Sequence, residues 1–233
     1  GDEFFFFSCQ RVIDLHDRSA PLYYYIIYAH YVGTAVPFRF GLSKQKLLKL
    51  SHRRENFCRK LFHFRCGRQQ VGNHDRLHAG CGGGANIKRL LKRRPRGIVK
   101  GVDYSAVSVE KSRRLNAEAI QRDRCVIWQG SVQRIIFASD WFDAVTAFET
   151  VYFWPDLAKC FREVWRVLKP GGTFLICNEV NGDTDKDKKW TEIIDGMTIY
   201  KDAELKAYLE QAGFHDVQAY KNKMGWLCVT AKK

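Results

Sequence analysis

The chain of 233 residues is 45% hydrophobic, enough for one sizeable core or a core with a small appendage. Its 39 Lys and Arg against 25 Asp and Glu leave a formal net charge of +14. This composition excludes collagenous, low-complexity and acidic disordered classes. The excess charge is confined to the first 128 residues, with 12 basic against 6 acidic side chains in 1–75 and 13 against 4 in 76–128. Residues 129–233 are balanced at 14 against 15. The basic residues are not interleaved with aromatics as in a single-strand platform, so they read first as a solvated face, and nucleic acid is not the expected partner.

Residues 1–74 form an atypical N-terminal region for which poor order is the expectation. They hold a phenylalanine run, a tyrosine cluster and scattered basic residues, with little periodicity. The run of Phe4 to Phe7 is short and follows two acids, unlike a secretory leader. Residues 20–38 are uncharged, but five tyrosines, Gly33 and Pro37 argue against a membrane span. The eight cysteines show no Cys-x-x-Cys pair, and Cys58, Cys66, His74 and His78 fit no familiar zinc spacing. A reducing, cytoplasmic compartment and no metal are the expectations.

From residue 75 the pattern is regular. A short strand at 76–79 runs into the glycine cluster GCGGG at 80–84, and a helix follows with Ile87, Leu90 and Leu91 on one face. Strands are predicted at 98–103 and 125–128, with one helix over 106–121 between them. Residues 142–148 read as a strand. Residues 156–168 read as a helix whose Leu157, Phe161, Val164 and Leu168 make an apolar stripe, stopped by Pro170-Gly171-Gly172. A strand at 173–177, a helix at 202–212 and strands at 217–220 and 226–230 complete the chain. Alternating strands and helices mean an α/β domain over 75–233, doubly wound around a mostly parallel seven-stranded sheet, with a closing hairpin that adds an antiparallel last strand.

The glycine cluster joins a strand end to a helix start, where ligands of open α/β sheets bind. Unused main-chain N–H groups and the positive helix end favour an anionic or electron-rich ligand there. Gly80, Gly82 and Gly84 fit G-x-G-x-G, and Gly80, Gly82 and Ala85 fit the dinucleotide fingerprint equally well. Asp103 ends the next strand about 20 residues on, where a carboxylate takes ribose hydroxyls. These features indicate an adenosine-containing cofactor without choosing between NAD and S-adenosylmethionine.

Five stretches in order resolve that choice. GCGGG at 80–84, GVDYS at 101–105, GSV at 130–132, FDAVTAFE at 142–149 and FREVWRVLKPGG at 161–172 resemble the class I S-adenosylmethionine-dependent methyltransferases. The likeness is greatest to the small-molecule branch similar to ubiquinone/menaquinone-biosynthesis methyltransferases. The resemblance implies a Rossmann-like fold, S-adenosyl-L-methionine as cofactor and methyl transfer to a small-molecule acceptor. It implies that Gly80, Gly82 and Gly84, with Cys81 among them, admit the methionine and ribose parts of the cofactor. Asp103 would hold the ribose and Tyr104 would lie against the adenine. Ser131 and Val132 would make adenine contacts, and Phe148 would close the pocket.

Glu149 is the candidate base or acceptor-orienting group, and Tyr152, Phe153 and Trp154 are candidates for the acceptor wall. The family commonly carries an acid where this chain has His78, so weaker cofactor binding is expected. Two other readings stand beside the leading one: a fold-retaining protein with impaired catalysis, and an RNA methyltransferase using the basic residues at 88–96. An NAD-dependent enzyme is more distant, since the chain has no apparent substrate domain.

Overall fold

The computed structural model describes residues 75–93, 95–223 and 225–233. The expectations for residues 1–74, including the tyrosine-rich segment and Cys58, Cys66 and His74, lie outside the described residues. The elements run β1 (Asp75–Ala79), α1 (Ala85–Arg93), β2 (Ile98–Asp103), α2 (Ala106–Leu115), α3 (Ala117–Gln121), β3 (Cys125–Gln129) and β4 (Phe142–Phe148). There follow a 3-10 turn (Val151–Phe153), α4 (Leu157–Val167), β5 (Leu168–Asn178), α5 (Asp185–Ile193), α6 (Asp202–Gln211), β6 (His215–Lys221) and β7 (Leu227–Lys232). The seven strands lie in the order β3-β2-β1-β4-β5-β7-β6. β3 through β5 pair in parallel, whereas β7 is antiparallel to both of its neighbours.

The two faces of the sheet carry separate cores. On β2, Val99 packs with Ile87, Leu90, Leu91 and Val109, under α1 and α2. Val102, three positions on and therefore on the opposite face, joins Leu77, Val145, Phe161, Val164, Leu205 and Leu209 under α4 and α6. Trp154, Phe161 and Phe174 meet as an aromatic cluster there, with Phe161 edge-on to both partners. Among the described residues no helix is long and apolar enough to cross a membrane.

Three local departures from the sequence pattern have physical causes. The helix predicted over 106–121 breaks at Asn116, whose φ of −111° is not helical. Its buried amide donates to the carbonyls of Gly84 (3.1 Å) and Ser112 (2.9 Å), so the break serves a tertiary bond. α5 lacks an apolar stripe because its first turns are a charged run. It is held instead by Trp190, which packs with Tyr152, Val180 and Met197 over the carboxyl end of β5. Finally, α4 stops at Val167 and β5 starts directly at Leu168, so Pro170, Gly171 and Gly172 lie within the strand instead of between elements. Gly171 (φ +75°) donates to the Lys233 carbonyl, and Lys233 donates back to Gly172.

The β3–β4 connection holds no helix and is pinned by polar contacts. Glu163 on α4 accepts the Ile135 N–H at 2.8 Å, and Arg166 donates to the Ile135 carbonyl at 3.0 Å. Beneath it, buried Lys100 lies between Phe137, Trp141 and Phe142 (5.2, 5.2 and 5.7 Å to the ring centres) and pairs with Asp75 at 2.5 Å. An acid can therefore open an interior strand: Asp75 also accepts the Trp141 indole N–H.

Phe161 is fully buried at the centre of the larger core, and Phe161→Ala is expected to destabilise the domain by about 3–5 kcal/mol in urea unfolding. Glu163 is held below the usual carboxylate range, first by its hydrogen bonds from Arg166 and then by the Ile135 N–H, against some desolvation. A lowered native pKa contributes stability above the unfolded carboxylate value and loses it as pH falls through the native value. Glu163→Gln should therefore lower the thermal midpoint at neutral pH and shrink its fall between neutral and acid conditions, read by calorimetry across that range.

Candidate functional site

The carboxyl ends of β1, β2, β3 and β4 surround a cleft of about 310 Å³. Its lining includes Gly80, Asp103, Tyr104, Ser131, Thr150 and Trp154, joined by Gly130, Val132, Phe153 and Pro155. Of the residues expected in the site from the sequence, Gly80, Asp103, Tyr104, Ser131 and Val132 line it on the cofactor side, and Phe153 and Trp154 on the acceptor side. Thr150, Phe153 and Pro155 stand in the same loop as Trp154. Of these, Thr150 and Pro155 carried neither an aromatic nor a motif signal in the sequence.

The glycine loop is folded onto the end of β2. Gly80 and Cys81 both donate to the Val102 carbonyl at 2.9 Å, Gly84 donates to the Cys81 carbonyl, and Gly82 donates to Asp103 Oδ2 at 2.8 Å. The expectation of unused loop N–H groups for an anion is therefore corrected at these four positions: neighbouring main chain and one carboxylate already consume them. Cys81 turns its side chain away from the cleft, into the core under α1, where burial and then nearby Asp103 push its thiol up to about 12. It offers main chain, not sulfur chemistry.

The glycines themselves are bare for internal reasons. A Cβ on Gly80 would come within 1.9 Å of Thr150 Oγ1, and one on Gly84 within 2.3 Å of Ser112 Oγ and 2.6 Å of the Asn116 amide nitrogen. Both glycines also have positive φ, +71° and +83°.

Asp103 is 5% exposed. Its Oδ2 accepts from Gly82 and its Oδ1 accepts from Ser105 N–H at 3.0 Å. Desolvation pushes its carboxyl above the ordinary range, and the two main-chain bonds partly offset that shift. Each oxygen keeps acceptor capacity beyond its single N–H. Two such oxygens side by side, bordering the cleft, match a vicinal diol, so the donor set fits the ribose of an adenosyl cofactor. Tyr104, 56% exposed, lies at the rim. Ser131 Oγ accepts the Gln133 N–H in a local turn, leaving its proton for a further bond.

Phe148 stands at the end of β4, its ring 5.1 Å from the imidazole of His78. His78 is wholly buried, and its Nδ1 lies 3.0 Å from Thr146 Oγ1 and 3.2 Å from the Thr146 carbonyl. The residue entering the glycine loop thus reaches across to β4.

Glu149 follows in the left-handed region (φ 58°), and Asp156, the N-cap of α4, does the same (φ 46°). Left-handed non-glycine residues are costly and gather at functional loops. Glu149 Oε2 accepts the Glu179 N–H at 3.1 Å and lies 3.3 Å from the Tyr152 hydroxyl.

Tyr152, expected on the acceptor wall, is 1% exposed and belongs to the cluster under α5. Its hydroxyl accepts the Val180 N–H and reaches the Val180 carbonyl, both at 3.0 Å, and this polar anchor draws the ring inward. Phe153 and Trp154, the other two residues expected on that wall, line the cleft, and Tyr152 does not.

Residues 77–176 match the methyltransferase domain family Methyltransf_11. The chain is 30% identical over 147 residues to the cycloartenol-C-24-methyltransferase of Arabidopsis thaliana, covering 59% of this chain and 44% of that protein. It is 28% identical over 152 residues to the chloroplastic 2-methyl-6-phytyl-1,4-hydroquinone methyltransferase of Spinacia oleracea, covering 64% of this chain and 42% of that one. The chain thus spans less than half the length of these two relatives. Among solved structures, the Haloferax volcanii methyltransferase complexed with its activator Trm112 superposes with a TM-score of 0.64 at 21% identity, over 78% of this chain and 93% of that one. That likeness establishes the fold. Taken with the ordered motifs and the cleft at the strand ends, these matches place the region around residues 77–176 in the class I S-adenosylmethionine-dependent methyltransferase family.

Proposed function

We propose that this domain transfers a methyl group from S-adenosylmethionine to a small-molecule acceptor. The observation that carries the reading is the Asp103 carboxylate, buried beside the cleft with one main-chain N–H on each oxygen and room for a diol. When bound, the cofactor supplies a methyl group already activated on a sulfonium, so the protein's work is alignment and exclusion of water. Gly80, Cys81, Gly82 and Gly84 would shape the floor through main chain. Asp103 would hold the ribose, and Tyr104, Ser131 and Val132 would hold the base. Phe148 would back the pocket from the end of β4.

On the acceptor side, Phe153 and Trp154 would wall an apolar or flat molecule and face the sulfonium, whose positive charge aromatic faces attract. Glu149 stands beside them, oriented by Glu179 N–H and Tyr152, and would accept a proton or orient the acceptor. The sterol and hydroquinone methyltransferases among the relatives support a small, largely apolar acceptor for this chain. A cytoplasmic, reducing setting accords with the buried free thiols at 81, 125, 160, 177 and 228.

A second reading, a cofactor-binding protein with reduced turnover, draws support from His78, which engages Thr146 at the position where the family resemblance implies an acid.

Titration calorimetry with S-adenosylmethionine, S-adenosylhomocysteine and NAD separates these readings from a dehydrogenase. Micromolar binding of the two adenosyl sulfur compounds and none of NAD is the expected result, and the reverse order would remove the methyltransferase reading. Asp103→Asn should weaken S-adenosylhomocysteine about 10–100-fold, the loss of hydrogen bonds to a charged acceptor. Because burial raises the Asp103 pKa, wild-type affinity should fall on acidification, at a higher pH than an exposed aspartate would give, and the Asn variant should lack that fall.

A further inference from the structure

The space that Gly80 leaves open is filled by the protein. We infer that Thr150 is a positioning residue that couples the cofactor loop to the acceptor-side loop; this rests on the methyltransferase reading of the cleft. Three atoms of the Thr150 side chain would meet a Cβ on Gly80, Oγ1 at 1.9 Å, Cβ at 2.6 Å and Cγ2 at 2.8 Å. Such overlap with a β-branched side chain cannot be relieved by swinging a flexible tip, because the branch itself is in the way. Thr150 thus adds a steric block to the φ of +71° that already disfavours a side chain at position 80.

The other side of Thr150 is tied as well. Its Oγ1 accepts the indole N–H of Trp154 at 3.2 Å. Trp154 is 7% exposed, stacks parallel to Phe174 (9° between planes) and meets Phe161 edge-on. A continuous chain of contacts therefore runs from the main chain of Gly80 through Thr150 to Trp154 and the core under α4. Both Thr150 and Trp154 border the cleft.

Two loops that would hold different ligands thus share one small side chain. A shift of the glycine loop must displace Thr150, and Thr150 cannot move without stretching or breaking the bond to Trp154. The hydroxyl has one further consequence. Because Oγ1 accepts from Trp154, its own proton is left for another partner.

A double-substitution cycle tests this, with S-adenosylhomocysteine as probe and thermal melting alongside. Gly80→Ala should weaken the probe about tenfold or more, since the new methyl must push Thr150 aside. Adding Thr150→Gly removes all three clashing atoms, and the double variant should recover most of the loss relative to Thr150→Gly alone, short of the strain that a φ of +71° imposes on any Cβ at position 80. The thermal midpoint should follow the same pattern, depressed in Gly80→Ala and largely restored in the double variant. Thr150→Val, which keeps the shape and drops the hydroxyl, should leave the buried Trp154 N–H without its acceptor, seen as a shifted indole resonance. A double variant as weak and as unstable as Gly80→Ala would overturn the inference, because position 80 would then be bare for the ligand or the backbone alone. If the unaltered protein fails to bind the probe, the cofactor reading fails, and the thermal cycle still decides the contact.

Discussion

The end of β2 is the junction on which the site depends. The Val102 carbonyl accepts two N–H groups of the glycine loop, the Asp103 carboxylate accepts one from that loop and one from Ser105, and the Asp103 carbonyl accepts Gly130. Three loops that follow three neighbouring strands are thereby fixed to two residues. Burying a carboxylate is unfavourable unless its lone pairs are filled, and here main-chain donors fill half of the need and leave the rest facing the cleft. The arrangement is preorganised, because the loop does not have to be ordered by what binds.

The opposite wall is built on different physics. Between β4 and α4 the chain takes two left-handed steps, at Glu149 and Asp156, each costing about 1–3 kcal/mol. The offset comes from the packing that surrounds them: Trp154 in the aromatic core on one side, and Tyr152 with Trp190, Val180 and Met197 on the other. The rigid core under α4 and the smaller cluster under α5 thus grip the same short segment from two directions. This is how a loop with strained backbone can still hold Glu149 in one orientation.

Much of this was readable from the residues. The apolar stripe Leu157, Phe161, Val164 and the runs at 98–103 and 142–148 identify their elements because burial enforces periodicity, and the spacing from Gly80 to Asp103 reflects one βαβ unit. The unreadable parts are those decided by partners distant in sequence. Asn116 breaks a helix to reach Gly84, a bond no local pattern announces. α5 is held through Trp190, and through Asp187 accepting the Gly182 N–H, amid many charges. Tyr152 and Phe153 are adjacent aromatics with the same local signal, and only the amide of Val180 decides which one turns inward. Gly80 is legible as a bare position, but the side chain that blocks it beyond its positive φ is Thr150, 70 residues later in the chain.

The placement of β7 between β5 and β6 has a consequence for how the chain is made. β6 leaves the ribosome before β7, yet it has no sheet neighbour apart from β7 among the described strands, and α6 packs against both. During synthesis β5 must therefore wait as a temporary border of the nascent sheet, its edge N–H and C=O groups unpaired on that side, until a hairpin longer than 15 residues has emerged and can be inserted whole. That delay favours late, all-at-once closure over strand-by-strand growth. Holding chaperones that recognise open strand borders would have their best opportunity in this interval.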